Sequence, residues 1–377
     1  MRVAVDARAL AGPRSGLFVY TESILAAMQK AAPETEWTLY SHRPVHAPEL
    51  SGERVVLRFP DSTLLRPSWL RARLVPALRR RRPDVWFSPL SAALAARDCP
   101  SVAVVHDLAM LRFPKIMPAH YRWSWTRTLA AATTRASRLI AVSQSTRRDL
   151  VQLLGVDDRR IRVIYEAADE CFFQPMAQTT VAETLQALCR REGAELSPGY
   201  LLYPATLEPR KNHLTLLRAY VELCMEKKAR RPLVLVGGKG WGDKRKVLSI
   251  LREPPDGPGL HWITGADREE LRALYAGARM MVFPSRYEGF GLPVVEAMAA
   301  GVPVVASNVS SLPEVLGDAG LLLPADDVNA WKTAVRDLPD DDARLAAMRE
   351  AGLARARNFS WDKAAEATLS LLREAAR

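Results

Sequence analysis

The chain has 377 residues, 48% hydrophobic and 25% charged, with a formal net charge of +11. That length exceeds one ordinary core and predicts two domains, and the balanced composition is that of a soluble globular protein. No apolar run approaches the roughly 18 residues of a membrane span, and Cys99, Cys171, Cys189 and Cys224 lie scattered without CxxC spacing, which argues against a disulfide framework or zinc site and for buried free thiols.

In chain order, short β-branched runs alternate with longer helical patterns. Residues 3–7 read as a first strand, with no charged or apolar leader ahead of it, so the expectation is a cytoplasmic protein without a signal peptide. Further strands are predicted at 37–41, 54–59, 85–88, 102–106, 139–142 and 163–165, with helices starting near Gly16, Ser68, Pro118 and Ser143. Ser143 and Ser145 are N-cap candidates for a helix that stops at Gly155. The basic excess is local: residues 51–150 hold 18 Lys and Arg against 6 Asp and Glu. It peaks at Arg71, Arg73, Arg79, Arg80, Arg81 and Arg82, within a stretch where Trp69, Leu70, Leu74, Val75 and Leu78 have helical spacing. Arginines on one face and Trp and Leu on the other suit an anionic membrane surface; a solvated helix face is the alternative. No recognised nucleic-acid motif accompanies the charge, and no nucleic-acid partner is expected.

Residues 174–199 lose the βα rhythm. They hold one helical patch at 181–191 and end in Ser197-Pro198-Gly199, which reads as a linker. The rhythm resumes with strands at 200–205, 233–236, 260–264, 280–283, 302–306 and 321–323, and helices at 214–226, 269–276, 292–300 and 328–338. A helix at 341–355 follows, and Ser360 caps a last one through Leu372. The expected organisation is a domain at 1–173, a linker at 174–199, a second domain at 200–357 and a terminal helix at 358–377. Two doubly wound parallel-sheet domains imply a ligand cleft at the carboxyl ends of both sheets.

The strongest motif is Ser285-Arg286-Tyr287-Glu288-Gly289-Phe290-Gly291-Leu292-Pro293-Val294-Val295-Glu296, which leaves a strand and enters a helix. Gly289 and Gly291 permit positive φ and close backbone approach. Pro293 suits a first helical turn. The helix N-terminus is a natural anion site, and Glu288 and Glu296 are suited to accept hydrogen bonds from sugar hydroxyls. The alternative is a capped helix with two surface glutamates. A second motif, Thr206-Leu207-Glu208-Pro209-Arg210-Lys211-Asn212, places two adjacent cations at a strand's carboxyl end, where they suit a diphosphate or merely a solvated loop. The Gly237–Gly242 run lacks both GxxxxGK[ST] and GxGxxG and reads as a tight turn. In the first half, Ser15-Gly16 opens a helix as a second phosphate or acceptor loop, and His106-Asp107 ends a strand.

Together these motifs resemble glycosyltransferase family 4, the retaining group 1 glycosyltransferases of the GT-B fold, over essentially the whole chain. The resemblance is most specific in Glu288 to Glu296 and in Thr206 to Asn212, and is mannosyltransferase-like. It implies that Glu288 contacts donor-sugar hydroxyls while the amides of Gly289, Phe290, Gly291 and Leu292 cradle sugar and phosphate. Glu296 would hold the ribose, and Arg210 and Lys211 would neutralise the diphosphate. Gly16 would border the phosphate, His106 would stand by the sugar, and Gly265 would begin a loop near the base. Retention without an evident nucleophile implies front-face attack, the leaving phosphate accepting the acceptor's proton. No DxD pair sits at a strand end, so neither a metal nor another cofactor is expected; Asp340-Asp341-Asp342 reads as a helix cap. One stretch departs from the family: Tyr165-Glu166-Ala167-Ala168-Asp169 stands where Asn-Gly-Val-Asp is usual, and no role is carried onto it.

The implied function is transfer of a hexose, with GDP-mannose the favoured donor, to a glycan or lipid-linked acceptor, by a cytoplasmic protein peripheral on the inner face of the membrane. UDP- or dTDP-sugars remain open as donors. A GT-B scaffold that binds nucleotide sugar without turnover is the non-enzymatic alternative.

Overall fold

The computed structural model describes residues 1–59, 66–93, 99–114, 119–193, 195–242 and 244–377. The chain forms two compact units, residues 1–166 with 360–377, and residues 167–359.

Unit 1 is built on β1 (Arg2–Asp6), β2 (Glu36–Ser41), β3 (Glu53–Val56), β4 (Val85–Ser88), β5 (Ser101–Val105), β6 (Arg138–Ala141) and β7 (Ile161–Val163). They form one parallel sheet in the order β3-β2-β1-β4-β5-β6-β7. Val3, Ala4 and Val5, then Val85, Trp86 and Phe87, are fully buried. Such unbroken apolar runs follow from helices covering both faces of a parallel sheet. Strand order reverses between β1 and β4, the position at which open α/β sheets leave a crevice outside their carboxyl ends. The helix Gly16–Ala31 starts on Ser15, whose hydroxyl accepts from the Phe18 amide at 3.4 Å. Ser143 caps Gln144–Leu154 in the same way, at 3.0 Å, and Gly155 ends that helix at φ +62°. Pro118 lies outside the described residues; the helix expected there is described as Ala119–Arg135. The last helix, Trp361–Ala376, belongs to this unit and packs on Gly16–Ala31, β4 and β5.

The basic stretch packs its apolar side inside unit 1. Trp69, Leu74 and Leu78 are buried and pack with Trp86, Tyr40 and Ala4. The apolar residues of the segment therefore pack against the protein's own core. Arg73, Arg79, Arg80, Arg81 and Arg82 are exposed, and Arg81 forms an ion pair with Glu53. The side chain of Arg71 lies outside the described residues.

Unit 2 carries β8 (Tyr200–Pro204), β9 (Leu233–Val236), β10 (Leu260–Ile263), β11 (Ala278–Phe283), β12 (Val304–Ser307) and β13 (Leu321–Leu323). Their order is β10-β9-β8-β11-β12-β13, all parallel. The reversal falls between β8 and β11, so the loops leaving those two strands flank this sheet's crevice. Those loops are the two strongest sequence motifs. Most of the stretch that loses the βα rhythm is one helix, Gln178–Glu192, which packs on the helix Arg268–Gly277 and sends Arg191 to Glu270 at 2.6 Å. The helix Arg245–Arg252 has no counterpart in the expected elements; Val247 is its one buried residue, so its apolar pattern is short. Asp341 caps the helix Asp342–Ala356 by accepting from the Arg344 amide at 3.0 Å, while Asp340 pairs with Arg230 and Arg231. The thiols Cys99, Cys189 and Cys224 are buried and unbridged, but Cys171 is half-buried, with Arg268 Nε donating to its Sγ at 3.3 Å.

Candidate functional site

After β8 the chain makes one 3-10 turn, Pro209–Lys211, which ends on Asn212 in the left-handed region at φ +59°. The Asn212 amide nitrogen lies 3.1 Å from the Pro284 carbonyl, 2.8 Å from that of Ala325 and 3.1 Å from Asp326 Oδ1. This residue ties the β8 loop to the β11 loop, and Arg286 N donating to Arg210 O at 2.8 Å adds a backbone link. The cations are thereby aimed at the motif that runs from Ser285 to Glu296.

Lys211 Nζ donates to Glu288 Oε1 at 2.6 Å and Arg210 Nη1 to Glu288 Oε2 at 3.1 Å. Ser285 Oγ also donates to Oε1, at 2.6 Å. Arg210 Nε reaches back to Glu208 Oε2 at 2.9 Å. Two carboxylates thus balance two cations, and Glu288 and Lys211 are only 6% and 7% exposed. A solvated cation pair is excluded by that burial, and so are two surface glutamates, since Glu296 is 9% exposed as well. Burial alone disfavours the Glu288 carboxylate, but Lys211 and Arg210 outweigh it and hold the group below the usual carboxylate range.

The loop between Glu288 and the helix Leu292–Ala299 is pinned by two serines that sequence reasoning missed. Glu288 N donates to Ser310 Oγ at 2.8 Å, and Ser311 Oγ donates to the carbonyls of Glu288 at 3.0 Å and Phe290 at 2.7 Å. A pair of serines after a strand carries no distinctive pattern, so only the fold reveals them. Gly291 stands at φ +108° as the N-cap, a backbone state open to glycine; Gly289 does not use positive φ. Glu296 lies in the second turn of the helix and has a different partner from Glu288: the Tyr275 hydroxyl donates to its Oε2 at 2.9 Å. Gly265 follows β10 at the sheet edge, two strands from β8, and stands at φ +67°. The Gly237–Gly242 run forms a tight turn against the β8 loop; a Cβ on Gly237 would meet Ala205 O at 2.5 Å.

In unit 1, Gly16 is the first residue of its helix, behind β1. At the ends of β1 and β4, buried Asp6 accepts from Arg8 Nε and Nη2, each at 2.7 Å, and from Ser88 Oγ at 3.1 Å. His106 follows β5. Its Nδ1 is 3.1 Å from Glu166 Oε1 and its Nε2 is 2.8 Å from the Pro89 carbonyl, while Tyr20 packs edge-on at 4.6 Å. From sequence Glu166 carries no role; its position just past a strand end, like that of His106, is the one available signal.

Among the described residues no group of three or more His, Cys, Asp or Glu is placed to hold a metal ion, and no helix is long and apolar enough to cross a membrane.

A family model described as Glycosyltransferase Family 4 matches residues 14–170, and one described as Glycosyl transferases group 1 matches residues 188–355. The chain is 37% identical to O-antigen chain mannosyltransferase B of Escherichia coli over 270 residues, 72% of this chain and 69% of that one. In fold it is similar to sucrose-phosphate synthase from Thermosynechococcus elongatus, with a TM-score of 0.77 at 20% identity over 99% of this chain and 98% of that one. It is likewise similar to WaaG, a glycosyltransferase involved in lipopolysaccharide biosynthesis, with a TM-score of 0.76 at 15% identity over 99% of each chain. With two parallel-sheet units of seven and six strands and these matches across both, the chain belongs to glycosyltransferase family 4, the group 1 glycosyltransferases, and is a hexosyltransferase of the GT-B fold.

Proposed function

We propose that the protein is a retaining mannosyltransferase that moves mannose from GDP-mannose to a glycan or lipid-linked acceptor without a metal ion. The observation that carries this reading is the buried cluster of Glu208, Arg210, Lys211, Ser285 and Glu288 at the crevice of unit 2. A nucleoside diphosphate leaving group gathers negative charge as its bond to the sugar breaks. Arg210 and Lys211 are fixed cations for that charge, and the N-terminus of Leu292–Ala299 adds its dipole. This is the work a metal does in other transferases, which supports metal-independent transfer.

Glu288 receives the donor-sugar hydroxyls in this reading. Both its oxygens already accept charged or hydroxyl donors, which makes it a poor nucleophile and a poor base. The acceptor's proton is then taken by the leaving phosphate oxygen, and the acceptor oxygen bonds to the sugar carbon on the face from which the phosphate departs. Gly289, Phe290, Gly291 and Leu292 provide backbone for sugar and phosphate, Glu296 the ribose contact, Gly265 the loop near the base, Gly16 a further phosphate border and His106 a group attending the sugar. The mannose preference is supported by the 37% identity to an O-antigen chain mannosyltransferase. For the acceptor, we read a lipid-linked or growing polysaccharide chain at the inner face of the membrane, with the exposed arginines of residues 73–82 as an electrostatic contact alone.

A thermal-shift comparison of GDP, UDP and dTDP tests the donor. A ligand at 100 times its Kd stabilises the folded state by about 2.7 kcal/mol. GDP is expected to raise the midpoint most; a larger rise with UDP or dTDP replaces GDP-mannose with the corresponding donor.

A further inference from the structure

Glu166 is a buried acid that neither motif nor family pattern singles out. Its side chain is 9% exposed and its Oε1 lies against His106 Nδ1 at 3.1 Å. The other ring nitrogen, Nε2, is 2.8 Å from the carbonyl oxygen of Pro89. A carbonyl oxygen only accepts, so Nε2 carries a proton. Nδ1 faces the Glu166 carboxyl, and one proton on that axis completes both contacts: on Nδ1 it makes an imidazolium against a carboxylate, on Glu166 it leaves two neutral groups. The charged arrangement pairs opposite charges, the usual condition for a charge removed from water, and it is the one the surrounding groups favour.

The other groups facing the ring agree. Burial disfavours a charged ring, but the hydrogen bond and charge of Glu166, the Pro89 carbonyl and the neighbouring Asp107 outweigh it, and the pKa stands above the ordinary 6.5. Tyr20, edge-on to the ring from the helix Gly16–Ala31, is pushed up by burial and by Glu166 and stays a neutral phenol.

We propose that Glu166 is a positioning residue for sugar transfer: it holds His106 doubly protonated, so that the ring acts as a fixed cation and not as a general base. The proposal rests on the reading of His106 as a group that attends the sugar. It fits a reaction in which the leaving phosphate takes the acceptor's proton, because an imidazolium with both nitrogens occupied has no lone pair to offer.

The sign of the pH dependence separates a cation from a base. A required cation is present below its raised pKa and lost as pH climbs through it; a required base appears over that same climb. The experiment combines long-range nitrogen–proton spectra of the histidines in the full chain with pH profiles of kcat/KM, for wild type, Glu166→Gln and Glu166→Asp. The His106 signals are assigned by their absence in His106→Gln. The expected wild type shows both His106 nitrogens protonated at neutral pH and an alkaline limb in activity. In Glu166→Gln the ring titrates at lower pH and the limb moves with it, a loss of about tenfold in kcat/KM above the limb for each unit moved; Glu166→Asp restores much of both. A wild-type ring with an unprotonated Nδ1 at neutral pH overturns the proposal, as does a limb that stays in place in Glu166→Gln. A protonated pair together with full turnover by His106→Gln overturns instead the reading of His106 on which it rests, and the positioning role falls with it.

Discussion

Glu288 accepts from Lys211, Ser285 and Arg210 through two oxygens, whereas Glu296 accepts from the neutral phenol of Tyr275. These environments support the division of roles proposed for them. Glu288→Gln keeps the shape but withdraws the charge that balances two buried cations, and losing one member of a buried ion cluster costs about 3 kcal/mol or more of stability. It is expected to lower kcat by about 100-fold or more, as loss of a charge-organising group in an active site does, with GDP affinity changed less. Glu296→Gln is expected to do the reverse, raising the GDP Kd by about tenfold, or 1.4 kcal/mol, at near-normal kcat with saturating donor. Calorimetric titration with GDP beside steady-state rates checks both, and equal loss of GDP binding in the two variants contradicts the division.

The turn into the helix Leu292–Ala299 works as an element only with Gly291 at φ +108°. Any other residue there is strained by roughly 1–3 kcal/mol, and an added Cβ would come within 3.0 Å of Leu312 Cδ2. Gly291→Ala should lower the urea midpoint and weaken GDP binding together; a variant that loses neither shows that the turn tolerates another backbone. Elements of this kind were legible in the sequence because their chemistry is local. The strands β4, β9 and β13 carry unbroken apolar runs bounded by breakers, and Ser143, Gly155 and Ser360 mark helix ends by hydrogen bonds to their own neighbours. In the basic stretch the sequence leaves a membrane surface and a solvated face both open, because helical spacing of Trp69, Leu74 and Leu78 says that a face is apolar, not what covers it; Trp86 and Tyr40 from the strands of unit 1 pack on it. The same limit hid the candidate site's supports. Arg210, Lys211 and Glu288 stand out by motif, but Ser310, Ser311, Tyr275 and Glu166 act through partners that are distant in sequence, up to 60 residues for the His106–Glu166 pair.

For the molecule as a whole, net charge of +11 with its excess in residues 51–150 sets long-range attraction rather than fold. With the apolar side of the basic segment inside unit 1, attraction to anionic lipid rests on the arginines and is screened by salt, over a Debye length of about 8 Å at physiological ionic strength. Replacing Arg79, Arg80, Arg81 and Arg82 with Ala should weaken sedimentation with phosphatidylserine vesicles by about 1 kcal/mol per residue, and added salt should do the same to the wild type. Unchanged sedimentation removes the membrane contact from the account. In the proposed reaction this transferase neutralises the diphosphate of a nucleotide sugar with Arg210 and Lys211, without a metal. Its most direct test is GDP release from GDP-mannose with a mannan or lipid-linked acceptor present, in excess chelator, for wild type beside Arg210→Ala. The expected result is acceptor-dependent release that the chelator leaves intact and that the substitution lowers by about 100-fold or more. Release abolished by the chelator, or equal in the two proteins, would contradict it.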